Sequence, residues 1–180
     1  MDTSFGWEGA DWGNSVQQTA DGGYIITGYT QDDLGGKDVW LIKTDSAGNR
    51  VWDRTFGGSG QDEGNSVQQT ADGGYIIAGY TLDNFGGDDL WLIKTDPDGD
   101  LVWERTFGGK GHEQGDSVWQ TDDGGYVITG RTLDNFGGDD LWLIKTDLAE
   151  PTIGRPFGGE GGESDTRSSG RLCSCQEANS

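Results

Sequence analysis

Across residues 66–107 the apolar and polar positions fall into four short runs: 66–70 (SVQQT), 75–81 (YIIAGYT), 90–96 (LWLIKTD) and 101–107 (LVWERTF). The segment Ala71-Asp72-Gly73-Gly74 joins the first two runs, and Pro97-Asp98-Gly99-Asp100 joins the last two. Both joints carry the Asp-Gly signal of a tight hairpin, so the runs predict four strands, A to D, antiparallel at each tight turn. No 3.6-residue periodicity competes with this reading. Strand B sets Tyr75 and Ile77 on one face and Ile76, Ala78 and Tyr80 on the other, and strand C sets Leu90 and Leu92 opposite Trp91 and Ile93. Both faces of the middle strands therefore call for cover, as in a sheet packed between two others. Strand A is mostly polar, and D mixes Glu104 and Arg105 with Trp103 and Phe107.

The pattern repeats every 51 residues, aligning Asn14 with Asn65 and Asp116, Trp40 with Trp91 and Trp142, and Phe5 with Phe56 and Phe107. Residues 81–96 and 132–147 are the same sixteen letters, TLDNFGGDDLWLIKTD. The copies run 5–55, 56–106 and 107–157, and 158–180 read as a disordered or degenerate tail. A small sheet with an apolar middle and more polar first and last strands fits a propeller blade, with A on the central channel and D on the rim. The expected fold is thus all-β: tandem four-stranded antiparallel β-propeller blades, an incomplete ring of about three blades per chain. A stacked β-solenoid or a sandwich of irregular hairpins also gives period-locked strands, although two tight hairpins per repeat disfavour parallel rungs.

The segment SVQQTADGGYIIAGYT, followed after a loop by DDLWLIKTDPDGDLVWERTFGG, resembles the blades of kelch-like and quinoprotein-like β-propellers. It is also similar to the Asp-Gly-Gly-Tyr-rich repeats of prokaryotic secreted and surface proteins. The resemblance covers residues 5–147 and implies architecture, with an extracellular or cell-surface setting; it specifies no activity, because such folds host enzymes, adhesins and scaffolds. The third copy loses the Trp of its last strand, and Phe5-Gly6 reads as the relic of a preceding D strand. Three blades do not close a usual ring, so the expectation is self-association, either into a completed ring or as an open assembly.

Apolar residues make up 31% of the chain, so a core must lean on the eight Trp, six Phe and five Tyr. A formal charge of −20 argues against nucleic acid and anionic membranes as partners. No apolar run reaches the length of a signal peptide or a membrane helix. Cys173 and Cys175 sit one residue apart in the tail, where a disulfide would be strained.

The long B–C and D–A connections share one end of the sheets, and function is expected there. Their acids are candidates for calcium, a hard cation that takes six to eight oxygens. They are Asp32, Asp33 and Asp38 in the first copy, Asp83, Asn84, Asp88 and Asp89 in the second, and Asp134, Asn135, Asp139 and Asp140 in the third. Against calcium stands ordinary turn chemistry, which uses Asp and Asn with Gly for the backbone's sake. The recurring Trp40, Trp91, Trp142, Trp52 and Trp103 are expected to pack between blades. Trp7, Trp12 and Trp119 do not recur, which makes them candidates for stacking on a glycan or a protein ligand. His112 is the single histidine, and no Ser-His-Asp set, phosphate loop or His-rich metal motif is present, so no catalytic residue is nominated. The functional expectation is a non-enzymatic module for self-assembly or protein interaction, with a lectin-like or calcium-assisted binding module as the alternative.

Overall fold

The computed structural model describes residues 2–7, 9–82, 87–109, 111–133 and 138–147, and among these it is all-β, without a helix. The first sheet is a meander of β1 (Trp12–Gln18), β2 (Tyr24–Gln31), β3 (Lys37–Thr44) and β4 (Arg50–Phe56). The second repeats it with β5 (Asp62–Gln69), β6 (Tyr75–Leu82), β7 (Asp88–Thr95) and β8 (Leu101–Phe107). The third contains β9 (Gln114–Gln120), β10 (Tyr126–Leu133) and β11 (Asp139–Thr146). All neighbouring strands pair antiparallel. The tail 158–180 and Cys173 and Cys175 lie outside the described residues.

The tight turns follow from their residues. Gly73 and Gly99 hold φ of 85° and 82°, a region that admits glycine at no steric cost. The Asp72 carboxylate accepts the Gly74 N–H, and Asp96 accepts those of Asp98 and Asp100. No ion is needed for either turn.

The first strand of each unit is longer than the alternation predicts. The run expected at 66–70 is a strand from Asp62 to Gln69, with a register shift between Gly64 and Ser66. The early part pairs because Gly79 lets the two backbones close: a Cβ there would lie 1.8 Å from the Glu63 carbonyl oxygen. One residue is left over on the first strand, as in a β-bulge, and the residue so displaced is Asn65.

Two cores lie between the sheets. Ile25, Val39 and Leu41 from the first meet Val67, Tyr75, Ile77, Trp91 and Ile93 from the second, with Trp52 and Phe56 at the border. On the opposite face of the second sheet Ile76, Ala78, Leu90 and Leu92 meet Val118, Tyr126 and Ile128, with Trp103, Phe107 and Trp142 beside them. The middle sheet is thus covered on both faces. Trp52 stands edge-on to Tyr75, and Trp103 to Tyr126, each at 5.8 Å between ring centroids, a favoured aromatic geometry.

Candidate functional site

The unrepeated tryptophans do not form one platform. Trp7 and Trp12 are exposed at the outer side of the first sheet, and Trp119 is exposed on β9 of the third, so the middle sheet stands between them. Trp7 donates its backbone N–H to Asp11 Oδ2 at 2.7 Å and lies near the Arg50 guanidinium. Trp12 borders a shallow cleft with Phe5, Ile26, Trp40 and Ile42.

The acids expected to share loops are divided by the structure. Asp32 and Asp33 sit in the β2–β3 turn, whereas Asp38, Asp88, Asp89, Asp139 and Asp140 belong to strands. Backbone pairing draws them in, setting Asp38 opposite Thr30, Asp89 opposite Thr81 and Asp140 opposite Thr132. Asp32 Oδ1 accepts the N–H groups of Leu34 and Gly36 at 2.9 and 2.8 Å, so turn chemistry occupies it. Asp83, Asn84, Asp134 and Asn135 lie outside the described residues. Among the described residues, no three His, Cys, Asp or Glu side chains gather as metal ligands would.

A second set of carboxylates, at the 51-residue register of Asp11, Asp62 and Glu113, has a clear structural task. Each accepts a backbone N–H from the Phe-Gly loop that precedes it: Trp7 for Asp11, Gly58 for Asp62 and Gly109 for Glu113. Thr30 donates its hydroxyl to Asp11, and Thr132 donates to Glu113, which ties the loop to the second strand. Gly57 keeps room for a neighbouring acid: a Cβ there would be 2.1 Å from Asp38 Oδ1 and 2.7 Å from Asp62 Oδ2. Burial pushes the Asp38 carboxyl above its ordinary range, with Asp62 and Asp32 adding repulsion, and burial raises Asp62 as well.

The polar first strands carry the feature that alternation alone did not reveal. Asn14 donates its side-chain amide to the Gly64 carbonyl, and Asn65 donates to Gly115, both at 3.0 Å. Ser15 Oγ accepts the Val67 N–H at 3.4 Å, and Ser66 Oγ accepts that of Val118 at 3.2 Å. Gln17 and Gln68 accept the N–H groups of Gln69 and Gln120, both at 2.6 Å. In return Gln69 and Gln120 accept the N–H groups of Ala20 and Ala71, both at 2.8 Å. These side chains close the open edges of β1, β5 and β9 against one another, which unpaired strand edges require. The identity of Asn14 with Asn65, Ser15 with Ser66 and Gln17 with Gln68 at a spacing of 51 was the signal for it.

The outer faces are where this bonding and packing stop. Leu90 and Leu92 are fully buried by the third sheet, whereas their counterparts Leu141 and Leu143 are 81% and 62% exposed. The row continues into the amines. Lys43 and Lys94 are buried, each reaching the Asp in the first hairpin turn of its sheet, Asp21 at 2.8 Å and Asp72 at 2.9 Å. Lys145 makes the same pair with Asp123 at 2.6 Å, in the open. The lysine hydrogen bond holds Asp21 and Asp123 well below the usual carboxylate range. At the other end Val16 is 64% exposed, while Val67 and Val118 are buried.

No protein-family model and no curated protein matches this chain. Among solved structures it is similar to a protein of unknown function from Bacteroides caccae, at 12% identity and a TM-score of 0.46. The match covers 77% of this chain and 47% of the other, so the chain spans about half that protein's length.

Proposed function

We propose that the chain is a non-enzymatic repeat module of the β-propeller type, whose sheets act as blades and whose outer faces serve for self-association or protein interaction. The observation that carries this reading is the apolar row of Leu141 and Leu143, open to solvent in a segment whose identical copy buries Leu90 and Leu92 completely. Exposed apolar faces of this kind favour association over solution as single particles. The side-by-side first strands and the meander order support the blade reading. The Asp-Gly-Gly-Tyr resemblance favours an extracellular or surface setting.

The test is mass in solution over a wide concentration range, by sedimentation equilibrium. A mass that climbs above 19.3 kDa with concentration is expected. A folded 19.3 kDa particle at every concentration overturns the proposal.

A further inference from the structure

We infer that the exposed face of the third sheet receives the outer face of the first sheet of a second copy, head to tail and in the 51-residue register. Resting on the self-association proposed above, the inference adds its polarity, its contacts and a reason for its weakness. Both inner junctions join the same two faces. The face bearing Leu41, or Leu90 and Leu92, is covered by the next sheet's face bearing Val67, Tyr75 and Ile77, or Val118, Tyr126 and Ile128. The chain then exposes one copy of each: Leu141 and Leu143 at one end, Val16 and Tyr24 at the other. Two unlike faces that fit each other, and are already fitted twice within the molecule, define a heterologous contact.

The hydrogen bonds of the inner junctions give the junction between chains a specific composition. Continued by 51 residues, Ser117 Oγ accepts the N–H of the second copy's Val16, and the second copy's Gln18 accepts the N–H of Asp122, as Ser66 and Gln120 do inside the chain. The other two contacts are absent by sequence. Trp119 stands where Gln17 and Gln68 accept a backbone N–H, and its indole has no acceptor. Asp116 stands where Asn14 and Asn65 donate to a carbonyl, and a carboxylate has no proton to give. The apolar faces match while the polar edge is half-satisfied, so the contact between chains is weaker than the contacts within one.

Leu143→Asp and Val16→Asp each place a charge on one of the two faces, at positions exposed enough to leave the fold intact by circular dichroism. Each variant alone is expected to be monomeric by sedimentation, and their mixture to form a one-to-one complex, because each retains the face that the other lacks. The double variant Asp116→Asn with Trp119→Gln is expected to tighten self-association by about fivefold or more, the low end for two regained hydrogen bonds. If the wild-type chain associates but the mixture forms no complex, the head-to-tail assignment is wrong while self-association stands. An unchanged association constant in the double variant refutes the role given to Asp116 and Trp119. A wild-type chain that stays monomeric removes both this inference and the reading on which it rests.

Discussion

Gln68 Oε1 accepts the backbone N–H of Gln120 at 2.6 Å, across the boundary between the second and third sheets. Gln17 and Gln69 repeat that contact at the first boundary. A side chain thus takes the place of a fifth strand, satisfying an edge that otherwise invites pairing with any extended chain. The polarity of the first strand, expected from the sequence to line a central channel, is the means by which one sheet grips the next.

Replacing Gln68 by Ala leaves the Gln120 N–H without its acceptor in a partly buried place. Loss of stability of about 1–2 kcal/mol is expected from urea unfolding. An unchanged midpoint with unchanged slope is the result that removes the energetic role given to the glutamine.

Gly79 lets β5 and β6 approach more closely than any side chain permits, since a Cβ would meet the Glu63 carbonyl oxygen at 1.8 Å. Gly79→Ala should therefore separate the strands at the bulge, lowering stability by about 3 kcal/mol or more, within the range of severe steric substitutions. Amide exchange should accelerate along Glu63 and Gly64 before the rest of the second sheet.

Lys94 and Lys145 make the same ion pair in the same sequence, but only Lys94 is covered. Lys94 also donates to the Thr95 carbonyl at 2.7 Å. Lys94→Met is expected to cost about 1–3 kcal/mol through the lost buried bond to the Thr95 carbonyl, whereas Lys145→Met should fall near the small contribution of an exposed pair, about 0–1 kcal/mol. Equal losses in thermal unfolding would mean that cover by the next sheet makes no difference to the pair.

Asp38 and Asp62 have raised carboxyl pKa values in the folded chain, because burial disfavours their ionised forms, with repulsion from Asp62 and Asp32 adding to it at Asp38. The folded state then binds more protons than the unfolded one, so the stability linked to this pair declines as pH rises from the ordinary carboxylate value through the raised one. Asp21 and Asp123 act in the opposite sense: their values are depressed, and what they contribute is present above the ordinary carboxylate value and lost in acid. Asp38→Asn is expected to raise the melting temperature at pH 7 and to change it little near pH 3.5. A variant equally affected at both values would show that charge is not the cause.

Much of this molecule is legible in its letters. The hairpins at Ala71-Asp72-Gly73-Gly74 and Pro97-Asp98-Gly99-Asp100, the middle strands and the inter-sheet tryptophans Trp91 and Trp103 follow from local rules, because turn chemistry and alternation act within a few residues. The placement of the acids was less accessible. Asp38 and Asp89 look like loop residues beside their glycines, yet pairing with Thr30 and Thr81 extends the strands to include them. Trp12 and Trp119 look like one class of unrepeated aromatic, yet they belong to opposite ends of the stack.

Residues 81–96 and 132–147 show where local information ends. The same sixteen residues dictate a strand and its facing pattern in both copies, and set Lys94 and Lys145 to reach an Asp of the preceding hairpin alike. They do not dictate burial: Leu92 is sealed beneath the third sheet, while Leu143 is left in water. Periodicity belongs to the chain itself, since it arises from neighbours in sequence. Cover depends on what another sheet does further along the chain, at Val118, Tyr126 and Ile128, and only the folded arrangement decides which of two identical faces is core and which is surface.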